Sequence, residues 1–231
     1  MGENPDSGEE YRYERKFLIE GATRPQVQTL VRIHPAMFIQ PYPPRYVNNF
    51  YLDTEELENY YDNMSGRDDR QKFRIRWYGT CLGAIDQPVL EIKIKRGLVG
   101  TKEHYPLPPF FLDERFSVED YCRLLRRSGL PYRVRSQLSG MHVVLLNRYY
   151  RDYYATRDNH FRVTIDTGLT YFRVDRGRNT FNHKQVDRTN LILELKYDKA
   201  KELEANRVSG FFPYPVTKNS KYVSGIERVF F

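Results

Sequence analysis

Charged and bulky apolar residues alternate in five separate stretches of this chain: Arg12-Tyr13-Glu14-Arg15-Lys16-Phe17, Phe73-Arg74-Ile75-Arg76-Trp77, Glu91-Ile92-Lys93-Ile94-Lys95, Phe161-Arg162-Val163-Thr164-Ile165-Asp166 and Leu193-Glu194-Leu195-Lys196. Side chains alternate faces along a strand, so each stretch puts its charges on one surface and its apolar groups on the other. An ordinary half-exposed antiparallel sheet alternates too, with cross-strand Arg–Glu pairs adding modest stability. Solvent-facing strands usually also carry Thr, Ser and Gln, however, and here the polar positions are nearly all ionisable. Recurrence in distant segments favours a concave or closed sheet with a charged lumen.

The remaining pattern predicts strands at Tyr11–Ile19, Tyr46–Leu52, Lys72–Tyr78, Val89–Arg96, Thr101–Leu107, Val143–Tyr154, Phe161–Asp166, Leu169–Asp175 and Leu191–Tyr197. Gly97–Gly100 reads as a turn and Pro35–Pro44 as a loop. Helices are expected at Ala22–Arg32, from Asp53-Thr54-Glu55-Glu56 onward, from Ser117 to about Ser128, and at Lys199–Val208 and Lys221–Phe231. Thr23 and Ser117 suit helix N-caps, Pro25 fits a first turn, and Gly129 and Pro131 stop the third helix. No linker or repeat divides the chain. The reading is α+β: residues 1–10 disordered, then one domain over 11–231, a closed antiparallel β tunnel with helices packed outside.

The composition narrows the function. A 231-residue chain with 40% hydrophobic and 15% aromatic residues can bury a proper core. Its net charge of +7 points to an anionic partner. Cys81 and Cys122 form neither a disulfide framework nor a zinc motif, and five scattered histidines show no ligand spacing. The acidic first ten residues do not resemble a signal peptide, and no apolar run reaches membrane-spanning length. A soluble, cytoplasmic protein is expected.

No glycine-rich phosphate loop follows a strand, so anion binding falls to Arg and Lys themselves. Arg74 and Arg76 share a strand face roughly 7 Å apart, a spacing that suits successive phosphates. Lys93, Arg148 and Arg162 are expected to face them. Glu14, Glu91, Asp166 and Glu194 share the parity of nearby cations; they either pair with those cations or hold Mg²⁺ or Mn²⁺, with Glu91, Asp166 and Glu194 put forward for the metal. Glu194 is the leading metal candidate, because the apolar Leu191-Ile192-Leu193 and Leu195 around it demand a cation. Lys196 shares its face. Ser220 suits the cap of the last helix, which would gather Lys218, Lys221 and free backbone N–H groups.

In this order, Arg12-x-Glu14-x-Lys16, Arg74-x-Arg76, Glu91-x-Lys93, Arg148, Arg162-x-Thr164-x-Asp166, Glu194-x-Lys196 and Ser220-Lys221 resemble the catalytic domain of the vacuolar transporter chaperone (VTC) family, within the triphosphate tunnel metalloenzymes. The resemblance runs from about Tyr11 to Phe230. It implies a polyphosphate polymerase that transfers the γ-phosphoryl group of ATP to a growing chain with Mn²⁺ or Mg²⁺. Lys16, Arg74, Arg76, Lys93, Arg148 and Arg162 would then grip phosphates, Glu194 would hold the metal, and Lys218, Ser220 and Lys221 would also contact phosphate.

The hydrolytic branch of that superfamily carries Glu-x-Glu-x-Lys on its first strand. Arg12 replaces the first of those glutamates, which leans toward polymerisation. Eukaryotic polymerases of the family also carry a regulatory SPX domain or membrane helices; this sequence shows neither, which leaves a separate membrane protein partner open. A tri- or polyphosphatase on the same scaffold and a non-catalytic polyphosphate or nucleotide binder are the rival readings. The aromatic residues interleaved with the basic ones have the opposite parity, which argues against base stacking and so against nucleic acid.

Overall fold

The computed structural model of the protein describes residues 12–96, 99–181 and 183–231. The expected disorder of residues 1–10, the first half of the expected Gly97–Gly100 turn and the side chain of Arg12 lie outside the described residues. In chain order the elements are β1 (Arg12–Glu20), α1 (Arg24–Arg32), β2 (Arg45–Asp53), α2 (Glu58–Met64), β3 (Arg70–Tyr78), β4 (Gly83–Ile85), β5 (Val89–Arg96), β6 (Val99–Pro106) and β7 (Phe110–Leu112). There follow α3 (Val118–Arg127), α4 (Tyr132–Gln137), β8 (His142–Ala155), β9 (Phe161–Arg173), β10 (Lys184–Asp187), β11 (Asn190–Asp198), α5 (Glu202–Gly210) and α6 (Lys221–Phe230).

One antiparallel sheet runs in the order β1-β11-β9-β8-β2-β3-β5-β6, with β10 added to β9. It curls into a half-barrel. Its end strands, β1 and β6, do not hydrogen-bond to each other, so the closure expected from the sequence is incomplete. The free edge of β1 is occupied instead: Thr217 N donates to Lys16 O at 2.7 Å, and Val216 bridges Phe17. A covered edge is satisfied without a further strand.

Register gives each face its character. Glu14 lies opposite Lys196 and Lys16 opposite Glu194. Glu194 pairs with Thr164, and Asp166 with Arg151. On the other wall Arg76 pairs with Asn49, Arg74 with Glu91 and Lys72 with Lys93. These residues share the concave side. The alternate positions point outward into two apolar cores. Phe17, Ile19, Val163, Ile165, Leu193 and Leu195 pack with α1 and α5. Phe50, Phe73, Ile75, Trp77, Leu90 and Ile92 pack with α3 and α4.

A third core lies on the inner side at one end of the sheet. Tyr222 and Ile226 of α6 and Tyr60 of α2 meet Tyr51, Leu145, Tyr149, Leu169 and Tyr171 there. Thus α1, α3 and α5 lie outside as expected, joined there by α4, while α6 seals one end of the concave face. Gly225 permits this approach: a Cβ there would lie 2.5 Å from Leu145 Cδ2 and 2.7 Å from Tyr171 Cδ1. Tyr222 stacks on Tyr51 and hydrogen-bonds through its hydroxyl to the fully buried Asp53.

Asp53 also explains a displaced helix start. The sequence places a helix from Asp53, but α2 begins at Glu58. The Asp53 carboxylate accepts from Thr54 N at 2.8 Å, Asn59 N at 2.9 Å and Tyr60 N at 3.0 Å, so it ends β2 and gathers the donors of the turn and of the helix that follows. The two strands expected at Phe161–Asp166 and Leu169–Asp175 are one strand, β9, with a register shift opposite Tyr149 where Gly168 takes φ +59°. The short elements β4, β7, β10 and α4 were not expected. No described helix is long and apolar enough to cross a membrane.

Candidate active site on the concave face

The site is built from strands whose charged side chains alternate inward, and the ion pairs among them follow the register. On the β3–β5 wall, Arg74 Nε donates to Glu91 Oε2 at 2.6 Å, and Arg76 Nη1 lies 3.3 Å from Glu91 Oε1. Arg76 also donates from Nε to Asn49 Oδ1 at 3.0 Å, which fixes the plane of its guanidinium. Burial works to raise the pKa of Glu91; Arg74 and Arg76 outweigh it and hold the carboxyl well below the usual range.

On the opposite wall, Arg151 forms a two-point fork with Asp166, Nε to Oδ1 at 2.6 Å and Nη2 to Oδ2 at 2.7 Å. Lys221, from the first turn of α6, reaches Asp166 Oδ2 at 2.6 Å and Glu194 Oε1 at 3.0 Å. Lys16 lies 2.7 Å from Glu14 and 3.9 Å from Glu194. Desolvation opposes ionisation of the buried Glu194, yet Lys221, Lys16, Arg151 and Lys196 hold its pKa well below normal. Burial and Glu194 would raise Glu14, while Lys16, Lys93 and Lys196 bring it down to about 2. The field of Lys93, on β5, thus reaches Glu14, on β1, and the two walls share one electrostatic space.

The cations are in excess. Lys72, Lys93 and Lys196 form no carboxylate ion pair among the described residues. Lys93 remains solvent-accessible within the concavity. Glu14 favours its charged form, but desolvation, Lys16, Lys196 and Arg74 together lower its pKa. Like charges held at such density repel one another, and an anion laid among them relieves that repulsion.

Most of the residues singled out from the sequence are brought together. Lys16, Arg74, Arg76, Lys93, Arg162, Lys196, Ser220 and Lys221 line or border the concave face, whereas Lys218 is exposed on the segment leading to α6. Ser220 caps α6, its hydroxyl accepting from Val223 N. Arg148 is a correction. It pairs in register with Asn48, on the outward parity, and its guanidinium lies 3.8 Å from the Tyr46 ring centroid. Arg151, an odd number of residues on, takes the inward place. Both faces of β8 are buried, so its sequence does not alternate and carries no sign of which arginine points in.

The expectation that aromatic residues avoid the charged face also needs amending. Phe73 and Trp77 do point outward, but Tyr51 and Tyr149 belong to the inner side. Lys72 is a site residue that the sequence reading missed, although extending the Arg74-x-Arg76 alternation back one step would have found it.

Of the three carboxylates expected to hold metal, Glu91 and Asp166 have both oxygens engaged by two basic side chains each. They serve as counter-ions here. Glu194 fits better: Lys221 hydrogen-bonds its Oε1, Arg151 approaches its Oε2 only to 3.7 Å, and its charge is felt by Glu14. Beside it in register, the buried Thr164 Oγ1 has no partner. Among the described residues no three His, Cys, Asp or Glu side chains converge. Mg²⁺ commonly takes one or two carboxylates and completes its shell with substrate phosphates and water, and Glu14 with Glu194 suits that role.

A curled antiparallel sheet with a cation-rich concave face and interspersed carboxylates is the architecture of the triphosphate tunnel (CYTH-like) proteins. The chain belongs to the VTC domain family, whose profile matches residues 11–230. A putative adenylyl cyclase from Hippeastrum, described as having a dominant triphosphatase activity, shares the fold: the TM-score is 0.52 at 14% identity, covering 94% of this chain and 96% of that one. A putative adenylate cyclase from Vibrio parahaemolyticus aligns with a TM-score of 0.50 at 10% identity, covering 93% and 98%. No curated protein sequence matches the chain significantly.

Proposed function

We propose that this protein is a polyphosphate polymerase, which transfers the γ-phosphoryl group of ATP to the end of an inorganic polyphosphate chain on the concave face. The observation that carries this reading is the excess of inner-face cations over carboxylates, arranged along facing strands of a VTC-family domain. An extended polyanion presents a phosphate every few ångströms, and strand residues two apart present Arg or Lys at a similar interval.

In this reading Arg74, Arg76 and Arg151, oriented by Glu91, Asn49 and Asp166, offer their remaining guanidinium N–H groups to phosphate oxygens, and Lys16, Lys93, Arg162 and Lys196 add point charges along the chain. An oxygen of the acceptor's terminal phosphate bonds to the γ-phosphorus as the bond to the β–γ bridging oxygen breaks, and ADP leaves. Fixed cations stabilise the charge that develops on the equatorial and leaving oxygens, and no protein nucleophile is required. Glu14 and Glu194 would hold Mn²⁺ or Mg²⁺, which neutralises phosphate charge when bound. Tyr51, Tyr149 and α6 exclude water from one end.

The test is incubation of the protein with ATP and Mn²⁺, read as acid-labile chains on a polyphosphate gel together with ADP. Arg74→Ala and Glu194→Gln should abolish chain growth in folded protein; full activity in both variants would overturn the assignment. Hydrolysis on the same scaffold is the second reading, favoured by the carboxylate pair Glu14 and Glu194 beside Lys16 and by the triphosphatase activity described for the Hippeastrum protein. Release of inorganic phosphate without chain growth distinguishes it.

A further inference from the structure

Lys72, like Lys93 and Lys196, forms no carboxylate ion pair among the described residues. Lys16, Arg74, Arg76, Arg151 and Lys221 each contact a carboxylate. Lys72 contacts a hydroxyl: its Nζ lies 2.8 Å from Ser220 Oγ, the cap of α6. The groups facing it are mostly cationic. Arg70 and Arg74 flank it on its own strand, Lys93 lies opposite on β5, and Lys16 faces it from β1. The nearby acids are committed elsewhere, Glu91 to Arg74 and Arg76 and Glu14 to Lys16. On α6, Lys221 is paired with Asp166 and Glu194; on β2, Tyr51 lies opposite Arg74, and the next residue on that face, Asp53, is fully buried and committed to Asn59, Tyr222 and the first backbone N–H groups of α2.

We propose that Lys72 is a further phosphate-binding residue, which exchanges its hydrogen bond to Ser220 for an oxygen of an inorganic triphosphate or polyphosphate chain and takes up a proton from solvent as it does so. The inference rests on the reading of the concave face as a phosphate site and adds proton linkage to it. Desolvation and the surrounding cations lower the pKa of Lys72 to about 7. A polyanion laid among those cations reverses the local field and restores the charged amine. The proton gained by Lys72 is lost by the buffer, and no other bond changes.

The experiment is calorimetric titration of inorganic tripolyphosphate into the full chain at pH 8, in two buffers of different ionisation enthalpy. Wild type, Lys72→Met, Lys72→Arg and Arg74→Ala are compared after circular dichroism confirms folding. Wild type should take up close to one proton more than Lys72→Met or Lys72→Arg. Lys72→Met should bind roughly tenfold or more weakly, in line with loss of a charge-assisted hydrogen bond. Lys72→Arg should restore affinity without restoring proton uptake, an outcome that a merely structural role for Lys72 would not give. Equal proton uptake in wild type and Lys72→Met, with Arg74→Ala impaired, overturns the role of Lys72 and leaves the phosphate site standing. Binding unaffected by Arg74→Ala, or no binding to wild type, overturns the phosphate site itself.

Discussion

Arg151 and Asp166 face each other across β8 and β9 as a two-point fork, with the carboxylate wholly buried. Lys221 of α6 meets the same carboxylate, so this one acid joins both strands and the helix that seals the end of the concavity. Asp166→Asn would leave two buried cations short of a partner. A loss of about 3–5 kcal/mol in unfolding free energy is expected, read from the urea midpoint. A loss under about 1 kcal/mol would mean that solvent reaches the fork.

Arg148 and Arg151 differ by the face they occupy. Arg151→Met should weaken tripolyphosphate binding at least a hundredfold, because it removes an inner-face cation and leaves the Asp166 charge underpaired beside the anion. Arg148→Met should leave that affinity within about twofold and cost about 0.5–2 kcal/mol of stability through the lost stack on Tyr46. Equal effects on binding would place Arg148 in the site after all.

Gly225 sits where α6 crosses the inner face. Alanine is the better helix former by about 1 kcal/mol, yet here its methyl group would collide with Leu145 and Tyr171. Gly225→Ala should therefore destabilise the protein by about 1–3 kcal/mol of overpacking, seen as a lower Tm. A raised Tm would show that α6 can shift away without cost.

Glu14 gives the site a signature in acid. Its pKa falls from 4.5 to about 2 on folding, so the folded state binds this proton less readily than the unfolded chain. The contribution is complete above pH 4.5 and is lost as the pH drops through about 2. Urea midpoints measured from pH 5 down to pH 2.5 should fall steadily, and Glu14→Gln should flatten part of that slope. An unchanged slope in Glu14→Gln would mean that other carboxylates, such as Glu91, carry the acid sensitivity.

The legible parts of the sequence are those where one face is charged and the other apolar. In β1, β3, β5 and β11 the alternation places Lys16, Arg74, Arg76, Lys93, Glu194 and Lys196 correctly on a shared side, because a strand's side chains have only two directions to take. Capping chemistry likewise marks Ser117 and Ser220 ahead of α3 and α6. Where both faces of a strand are buried, as in β8, that signal disappears, and the sequence points to Arg148 in place of Arg151. Asp53 misleads for a related reason: an acidic run looks like a helix start, but this carboxylate is a buried hub whose partners come from α2 and from Tyr222 at the far end of the chain.

The sequence alone thus determined that charged strands would line one surface and that the surface would be basic, since periodicity and composition are local properties. Only the tertiary structure decided how that surface is used. It brought α6 onto the inner face, matched Asp166 and Glu91 to arginines from neighbouring strands, and left Lys72 among cations with only a serine for company. Those outcomes depend on register and on contacts between segments far apart in the chain, and neither is written into any single strand.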